Sequence, residues 1–504
     1  MKNDILLCTL NSSYMHCAFA LRYLYANLGE LQARATIREF TIQQRPLDIA
    51  EQLLAAKPRI IGFSLYIWNI TETSEVIRLI KQIDPSVKLV GGGPEISFAE
   101  DLPEVAQSLD HIITGPGEIA LRELCETLMA GKPVMPGIIP GKTASLDQLE
   151  LPYAFYNEED LRNRLIYVEA SRGCPFKCEF CLSSLDKTAW PFELSRFLGA
   201  MDELYQRGAR NFKFIDRTFN LKIASSIAIL EFFLERMDDD LYLHFEVIPD
   251  HMPDKLKQML QRFPANKLQF EIGVQTFDPV IQKTISRRQD NDKTCDNLRW
   301  LREFTGAHIH ADLIFGLPGD SLENFAQSFD RLVSLGPQEI QLGILKRLRG
   351  APLNRHNQDY QLRYNPAAPY NILSTGDISF AEMQRVNRFA RFWDMIANSG
   401  RFQKSLPLIL QEQAFARFLR LSDSLYALAG SSWKISLRRL FSLLYEAMTE
   451  ELGIAPDLAR AGLEEDYAHS GQKGSLQLGE NMIAAARTPG VANKRQKQHQ
   501  RSTD

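Results

Sequence analysis

The chain has 504 residues, too many for one hydrophobic core, so roughly two to four domains are expected. Hydrophobic residues make up 45% and charged residues 24%, ordinary values for a globular protein, and a formal net charge of −4 gives no overall pull toward nucleic acid or membrane. No apolar run reaches the length of a membrane span, and residues 5–10 are too short for the apolar stretch of a signal peptide. Seven cysteines, three of them clustered, do not form a secreted disulfide framework, so a reduced, cytoplasmic chain is expected.

Residues 4–130 alternate strand and helix. Strands are predicted at 5–10, 35–40, 59–64, 88–90 and 111–114, with helices at 15–28, 49–56, 71–83, 98–108 and 119–129. Strands separated by helices of this length point to a parallel, doubly wound α/β sheet. Such sheets bind ligands at the carboxyl ends of their strands. Gly91-Gly92-Gly93-Pro94-Glu95 follows the fourth strand, and Gly115-Pro116-Gly117-Glu118 follows the fifth. Glycine lets a backbone approach a ligand closely, but the same runs also suit plain turns. Neither run is G-x-G-x-x-G after the first strand, so a nicotinamide dinucleotide is not favoured. The first strand leads instead into Asn11-Ser12-Ser13-Tyr14-Met15-His16. The first domain is taken as 1–141 and residues 142–164 as a linker, because Pro133, Pro136, Pro140 and Pro152 interrupt regular structure.

Residues 165–350 form a second repeating array. Strands are predicted at 165–169, 212–215, 242–247, 267–274, 308–315 and 339–345, with helices between them. Six such strands make a partial (β/α)6 barrel of TIM type, whose active groups lie at the carboxyl ends of the strands. Polar residues stand there in an otherwise apolar pattern: Glu169, Asp216, Glu246, Glu271, Gln275 and Asp312. After the first of these strands comes Ser171-Arg172-Gly173-Cys174-Pro175-Phe176-Lys177-Cys178-Glu179-Phe180-Cys181, a C-x3-C-x2-C loop. Thiolates select iron–sulfur clusters, zinc or copper. Three of them leave one iron of a cubane without a protein ligand, whereas a structural zinc site needs a fourth ligand from elsewhere in the chain.

Residues 351–470 change character. Residues 355–370 read as a loop across the active face, and helices are predicted at 380–396, 408–427 and 435–452. They form an α-helical C-terminal domain in which Arg385, Arg388 and Arg391 share one face, a solvated surface or a contact for an anion or RNA. Residues 471–504 are rich in Gly, Gln, Lys and Arg and are expected to be disordered.

The cysteine loop after a short strand resembles the radical S-adenosylmethionine (SAM) superfamily. Phe214-Ile215-Asp216, Phe270 to Thr276 and Asp312 to Asp320 resemble that superfamily's second-, fourth- and fifth-strand motifs. The resemblance implies that Cys174, Cys178 and Cys181 hold a [4Fe–4S] cluster whose open iron binds SAM. Phe180 would lie beside the adenine, with Asp216, Glu246 and Gln275 contacting SAM. Residues 1–140 resemble the cobalamin-binding domain found in many such enzymes. That places Gly91, Gly92, Gly93, Glu95, Gly117 and Glu118 against cobalamin. The D-x-H-x-x-G motif that supplies a lower cobalt ligand is absent, and His16 is a remote substitute.

Over about 1–460 the order resembles an uncharacterised family of cobalamin-domain radical SAM proteins with a helical C-terminal domain. The implied reaction cleaves SAM to a 5′-deoxyadenosyl radical and methylates an unactivated carbon with cobalamin. A reductant such as flavodoxin or ferredoxin would serve as partner, while neither membrane nor nucleic acid is indicated. Three other readings stand beside it: a radical SAM enzyme without cobalamin, an RNA-modifying radical SAM enzyme, and a non-catalytic iron–sulfur redox or sensor protein. The substrate is not legible.

Overall fold

The computed structural model describes residues 3–472, 474–479 and 481–483. The chain packs as two compact units. The first takes the described residues of Met1–Glu246, with Lys346–Arg355 and Asn365–Asn371. The second takes Val247–Leu345, His356–Tyr364 and the described part of Ile372–Asp504.

The first unit opens with a six-stranded sheet of order β2-β1-β3-β4-β5-β6, formed by β1 (Ile5–Asn11), β2 (Ala35–Thr41), β3 (Ile60–Ser64), β4 (Lys88–Gly92), β5 (His111–Thr114) and β6 (Gly137–Pro140). Every pairing is parallel. Helices α1 (Phe19–Ala26), α2 (Pro46–Ala55), α3 (Ile70–Ile83) and α4 (Glu118–Met129) cover it. Both faces are apolar: Leu6, Ile61, Leu89 and Ile112 look to one side, and Leu7, Ile60, Val90 and Ile113 to the other. This is the double burial expected of an all-parallel sheet.

Three expectations need correction here. Helix α1 starts at Phe19, not at 15, because residues 12–18 are held as a loop. The Asn11 side chain donates through Nδ2 to the His16 carbonyl at 2.9 Å, and the Glu39 carboxylate accepts from the Ala18 backbone amide at 2.7 Å. Residues 98–108 form two short 3-10 turns, Ala99–Asp101 and Glu104–Ser108, with Pro103 between them. The proline-rich stretch is also not featureless. Strand β6 ends on Pro140 at the sheet edge, where a missing N–H costs no ladder bond. Helix α5 (Glu158–Asn163) carries an Asn157/Asp160 capping box.

Beyond α5 the first unit continues with β7 (Ile166–Val168). A small antiparallel pair, β8 (Ser171–Arg172) and β9 (Trp190–Pro191), then closes the base of the cysteine loop. Helix α6 (Leu194–Gln206), β10 (Asn211–Phe214), α7 (Ile223–Leu234) and β11 (Tyr242–Val247) follow, with β7, β10 and β11 in parallel register.

The second unit holds α8 (Asp254–Leu260), β12 (Leu268–Gln275), α9 (Pro279–Thr284), α10 (Asn291–Phe304), β13 (His308–Phe315), α11 (Leu322–Ser334) and β14 (Glu339–Ile344). Strands β12, β13 and β14 pair in parallel. The six strands predicted for 165–350 are thus all present. A short antiparallel pair, β15 (Arg363–Tyr364) and β16 (Ile372–Ser374), precedes the C-terminal helices α12 (Phe380–Ile396), α13 (Ser405–Leu410), α14 (Ala414–Ala429), α15 (Leu437–Glu446) and α16 (Pro456–His469). The helix predicted at 408–427 is broken, because Gln411 takes a left-handed φ of +47° between α13 and α14.

Arg385 pairs with Asp423 at 2.6 Å, Arg388 lies over the Tyr426 ring and Arg391 over Trp433. That face is spent on internal contacts, which removes the argument for RNA binding there. The stretch expected to be disordered from 471 starts with structure. Strands β17 (Leu476–Leu478) and β18 (Asn481–Ile483) pair antiparallel, and Leu476 and Leu478 are fully buried. Residues 484–504 lie outside the described residues. Among the described residues no helix is long and apolar enough to cross a membrane.

Candidate functional site

The carboxyl ends of β1, β3, β4 and β5 open into a cavity of about 740 Å³, which the start of the second array also lines through Tyr167, Glu169, Arg172 and Ile215. Phe19, Tyr23, Phe63, Tyr66 and Trp68 give it aromatic walls, and the Tyr66 and Trp68 rings stack 4.3 Å apart. Gly91, Gly92, Gly93, Gly117 and Glu118 all line it.

The glycines do different things. A Cβ on Gly93 would lie 2.5 Å from the Leu65 carbonyl oxygen, and its φ of +107° is itself a glycine conformation. A Cβ on Gly91 would strike Leu109 and Ile96 at 2.5 and 2.6 Å. Those two serve the turn and the core. Gly92 and Gly115 are open, with nothing closer than 3.8 Å to a Cβ at Gly92 and nothing within 4 Å at Gly115. Glu95 needs correcting: it does not line the cavity, and at 2% exposure it accepts a hydrogen bond from Arg349 Nε at 3.3 Å. Burial pushes its carboxyl above the usual range, opposed by Arg349.

The charged feature of the cavity is Arg172, to which the sequence pattern gave no role of its own. Arg172 donates through Nη1 to Glu118 at 2.8 Å and through Nη2 to Glu169 at 2.6 Å. Its guanidinium lies over Tyr23 at 4.8 Å and over Phe192 at 5.9 Å. Both carboxylates are nearly buried, at 8% and 5% exposure. Burial works against the arginine's charge, yet Glu169 and Glu118 outweigh it and hold its pKa above the ordinary value. One cation thus joins the first turn of α4 to the residue after β7. Beside it, His16 Nδ1 and the Tyr167 hydroxyl are 2.7 Å apart. Burial, with Lys213 and Arg164 nearby, lowers the His16 pKa and favours the neutral ring.

A four-way ion cluster pins the same region. Arg22 contacts Glu39 at 2.7 Å and Asp160 at 2.6 Å, and Arg164 contacts Asp160 at 2.8 Å and Glu39 at 3.1 Å. It ties β2, α1 and α5 together immediately before β7.

Cys174 and Cys178 are buried and Cys181 is half-buried, with all seven cysteines unpaired. Gly173 takes φ +96° to enter the loop, the Cys174 amide donates to Asp186 at 3.1 Å, and the Cys181 amide donates to Cys178 at 3.1 Å. Burial raises the Cys174 thiol, and Cys181 and Cys178 are close enough to raise it further. Among the described residues no three of His, Cys, Asp or Glu converge on a single ion. A cubane instead takes one thiolate per iron, so its ligands stand farther apart. Three thiols on one glycine-started loop suit that arrangement.

The remaining expected residues are placed as follows. Phe180 is half-buried between Cys178 and Cys181. Asp216, 3% exposed, accepts from the Ala170 amide at 2.9 Å and the Ser171 hydroxyl at 2.7 Å, so it holds the turn from β7 into the cysteine loop. Burial pushes its carboxyl up to about 7, against those hydrogen bonds. Glu246 takes both its contacts from Arg217, at 2.9 and 2.8 Å. In the second unit, Gln275 ends β12 at a bulge with φ +69°, and its Oε1 is buried without a hydrogen-bond partner. Orphaned buried acceptors and left-handed non-glycine backbone are both costly and gather at functional sites. Asp320 is buried and accepts from the Ser321 amide at 2.9 Å at the end of the Gly316–Gly319 turn.

A family model described as "B12 binding domain" matches residues 7–125, and one described as "Radical SAM superfamily" matches 168–332. The chain carries a B12-binding domain followed by a radical SAM domain. A third model, described as "Protein of unknown function (DUF4080)", matches 358–503. The cobalamin-dependent radical SAM methyltransferase TokK of Streptomyces tokunonensis is 26% identical over 361 residues, 62% of this chain and 51% of that protein. The 2-(S-pantetheinyl)-carbapenam-3-carboxylate methyltransferase of Streptantibioticus cattleyicolor is 24% identical over 367 residues, again 62% and 51%. The chain therefore spans about half the length of these relatives. The structure of the radical SAM methyltransferase TsrM of Kitasatospora setae, with cobalamin and a [4Fe-4S] cluster bound, aligns with a TM-score of 0.57 at 18% identity, over 73% of this chain and 81% of that one. It shows a shared fold.

Proposed function

We propose that this radical SAM protein is a cobalamin-dependent enzyme that methylates an unactivated carbon. The observation that carries the reading is the cavity: the open glycine turns of the B12-binding domain and the first strand of the radical SAM domain line one chamber, and the cysteine loop leaves that strand. Its size, its aromatic walls and the bare backbone at Gly92 and Gly115 suit a flat corrin edge. Cys174, Cys178 and Cys181 would hold the cluster, with Phe180, Glu246 and Gln275 toward SAM. Asp216 is better suited to orienting the cysteine loop, since Ala170 and Ser171 already occupy its carboxylate.

When bound, the cluster supplies the electron that splits SAM into methionine and a 5′-deoxyadenosyl radical, and cobalamin supplies the methyl group. The chain's own residues position these groups, compensate charge through Arg172 and exclude water. A small electron carrier such as flavodoxin or ferredoxin would supply electrons in a reduced, cytoplasmic setting. The reading is tested by anaerobic reconstitution with iron, sulfide, cobalamin and methyl-deuterated SAM. Release of 5′-deoxyadenosine and transfer of the labelled methyl to a small molecule in cell extract are expected. A cluster-loaded protein that leaves SAM intact would overturn it.

A further inference from the structure

The segment Lys346–Arg355 belongs to the first unit although 99 residues of the second unit, Val247–Leu345, separate it in sequence from Glu246. Its two ends grip two different loops. At one end Arg349, 8% exposed, donates through Nη1 to the Asp101 carboxylate at 2.5 Å and the Asp101 carbonyl at 2.7 Å, and through Nε to Glu95 at 3.3 Å. Its Nη2 donates to the Tyr370 hydroxyl at 3.2 Å, and Arg347 also reaches Asp101. The Phe98 ring packs against Gly350, where a Cβ would come within 2.1 Å of it. Of these partners Glu95, Phe98 and Asp101 follow the Gly91–Gly93 turn of the B12-binding domain, whereas Tyr370 comes from Asn365–Asn371.

At the other end Arg355 grips Glu179 with both carboxylate oxygens engaged, Nε to Oε2 at 2.9 Å and Nη2 to Oε1 at 2.7 Å. The Leu353 amide donates to the Glu179 carbonyl at 3.0 Å. Glu179 stands between Cys178 and Cys181 and is 5% exposed. A carboxylate so placed is costly to bury unless paired, and a two-pronged arginine contact fixes direction as well as charge. Between the two grips, the Asn354 side chain donates to the Leu348 carbonyl at 3.0 Å and the Ala351 amide to the same carbonyl at 3.2 Å, so the segment is folded on itself rather than slack.

We infer that Lys346–Arg355 is a strut that sets the cysteine loop at a fixed place relative to the glycine turn of the B12-binding domain, with Arg349 and Arg355 as positioning residues. The inference rests on the proposed reading in that the loop and the turn then carry the two cofactors whose separation matters. Lysine at 355 cannot replace arginine, because a point charge does not hold both oxygens of Glu179.

The test is amide hydrogen exchange on the full-length chain, followed by electron paramagnetic resonance after anaerobic loading with cluster and cob(II)alamin. Arg349→Ala touches no residue of the cysteine loop, yet it is expected to speed exchange at 175–183 by about tenfold, the effect of losing a well-made charged hydrogen bond on local opening. Arg355→Ala should do the same, Arg355→Lys should not restore it, and Arg385→Ala in the C-terminal helices should leave it unchanged. In loaded protein, both alanine variants should change the relaxation of the cob(II)alamin signal by the reduced cluster. Should Arg349→Ala not fold, Arg349→Lys reads the same coupling. Faster exchange confined to 95–101, with the cysteine loop and the relaxation as in the unaltered protein, would overturn the strut. Protein that binds no cobalamin would overturn the proposed function instead, and the exchange result would still decide for or against the strut.

Discussion

Replacing Arg172 by alanine removes the cation shared by Glu118 and Glu169. Those side chains are only 10% and 7% exposed, and their contacts to the guanidinium are 2.8 and 2.6 Å. Breaking a buried pair by deleting one partner costs about 3–5 kcal/mol, because the other charge is left without compensation. Two features reduce this. The Arg172 side chain is itself 31% exposed, so solvent already screens the contacts. Water can also enter the 740 Å³ cavity and hydrate the stranded carboxylates. A loss of about 2–4 kcal/mol is therefore expected, or a factor of about 30 to 1000 in local opening. A chain of two units need not unfold in one step, so a single melting point is a poor measure. Hydrogen exchange at 115–121 and 166–172 reads the opening directly. Arg172→Lys should be intermediate, since one ammonium can satisfy one carboxylate well but not both. Adding Glu118→Gln and Glu169→Gln to the alanine variant should recover more than half of the loss. A change below about 0.5 kcal/mol, the size of an ordinary surface substitution, would refute the bridge, and so would failure of the two glutamines to rescue.

Alanine at Cys174, Cys178 or Cys181 should each lower iron and sulfide per chain after reconstitution and abolish SAM cleavage, while circular dichroism stays that of the folded protein. Gly93→Ala combines a φ of +107° with a Cβ 2.5 Å from a backbone oxygen, so it should cost about 1–3 kcal/mol in local opening, read by hydrogen exchange at 60–65 and 88–96. Gly92→Ala has room for its methyl group and should fold normally but retain less cobalamin on gel filtration. Asp216 has its carboxyl raised by burial from 3.8 to about 7. The neutral form is thus favoured in the folded state, and its contribution is fully present below pH 3.8 and lost as pH rises through about 7. Stability should therefore fall between about pH 4 and pH 7, and Asp216→Asn should flatten that slope in hydrogen exchange at 166–172, read across the range and corrected for its intrinsic pH dependence.

What could be read from the sequence was whatever depends on spacing. The cysteine loop is set within eight residues, and the parallel strands show as apolar runs bounded by glycine, so that loop and the strands of the parallel sheets were visible, though not the order in which the strands pair. Strand β6 was hidden because Pro140 breaks a central strand but is harmless on an edge, and a residue pattern does not say which strand is last. The β17–β18 pair was hidden because a polar stretch can still bury two leucines against a neighbouring helix.

The residues that were missed, or given the wrong role, share a different cause. Arg172 meets Glu118 across 54 positions, Arg355 meets Glu179 across 176, and Arg349 meets Glu95 across 254. A charged residue has no period and no fixed offset to its partner, so its role is set by whatever the fold brings against it. Glu95 and Glu118 show the consequence. Each follows a glycine turn at a strand end, and they are indistinguishable by position, yet one faces the cavity and the other is turned away to hold Arg349. Glycine-turn position therefore locates the rim of such a chamber, while the cation opposite decides which carboxylates serve the ligand. If that holds, exchanging the partners should exchange the roles. Arg349→Ala should free Glu95 without affecting cobalamin retention directly, whereas Arg172→Ala should weaken retention while leaving Glu95 in place. Equal loss of cobalamin from both variants, measured on the same gel-filtration column, would show that the two carboxylates are not sorted in this way.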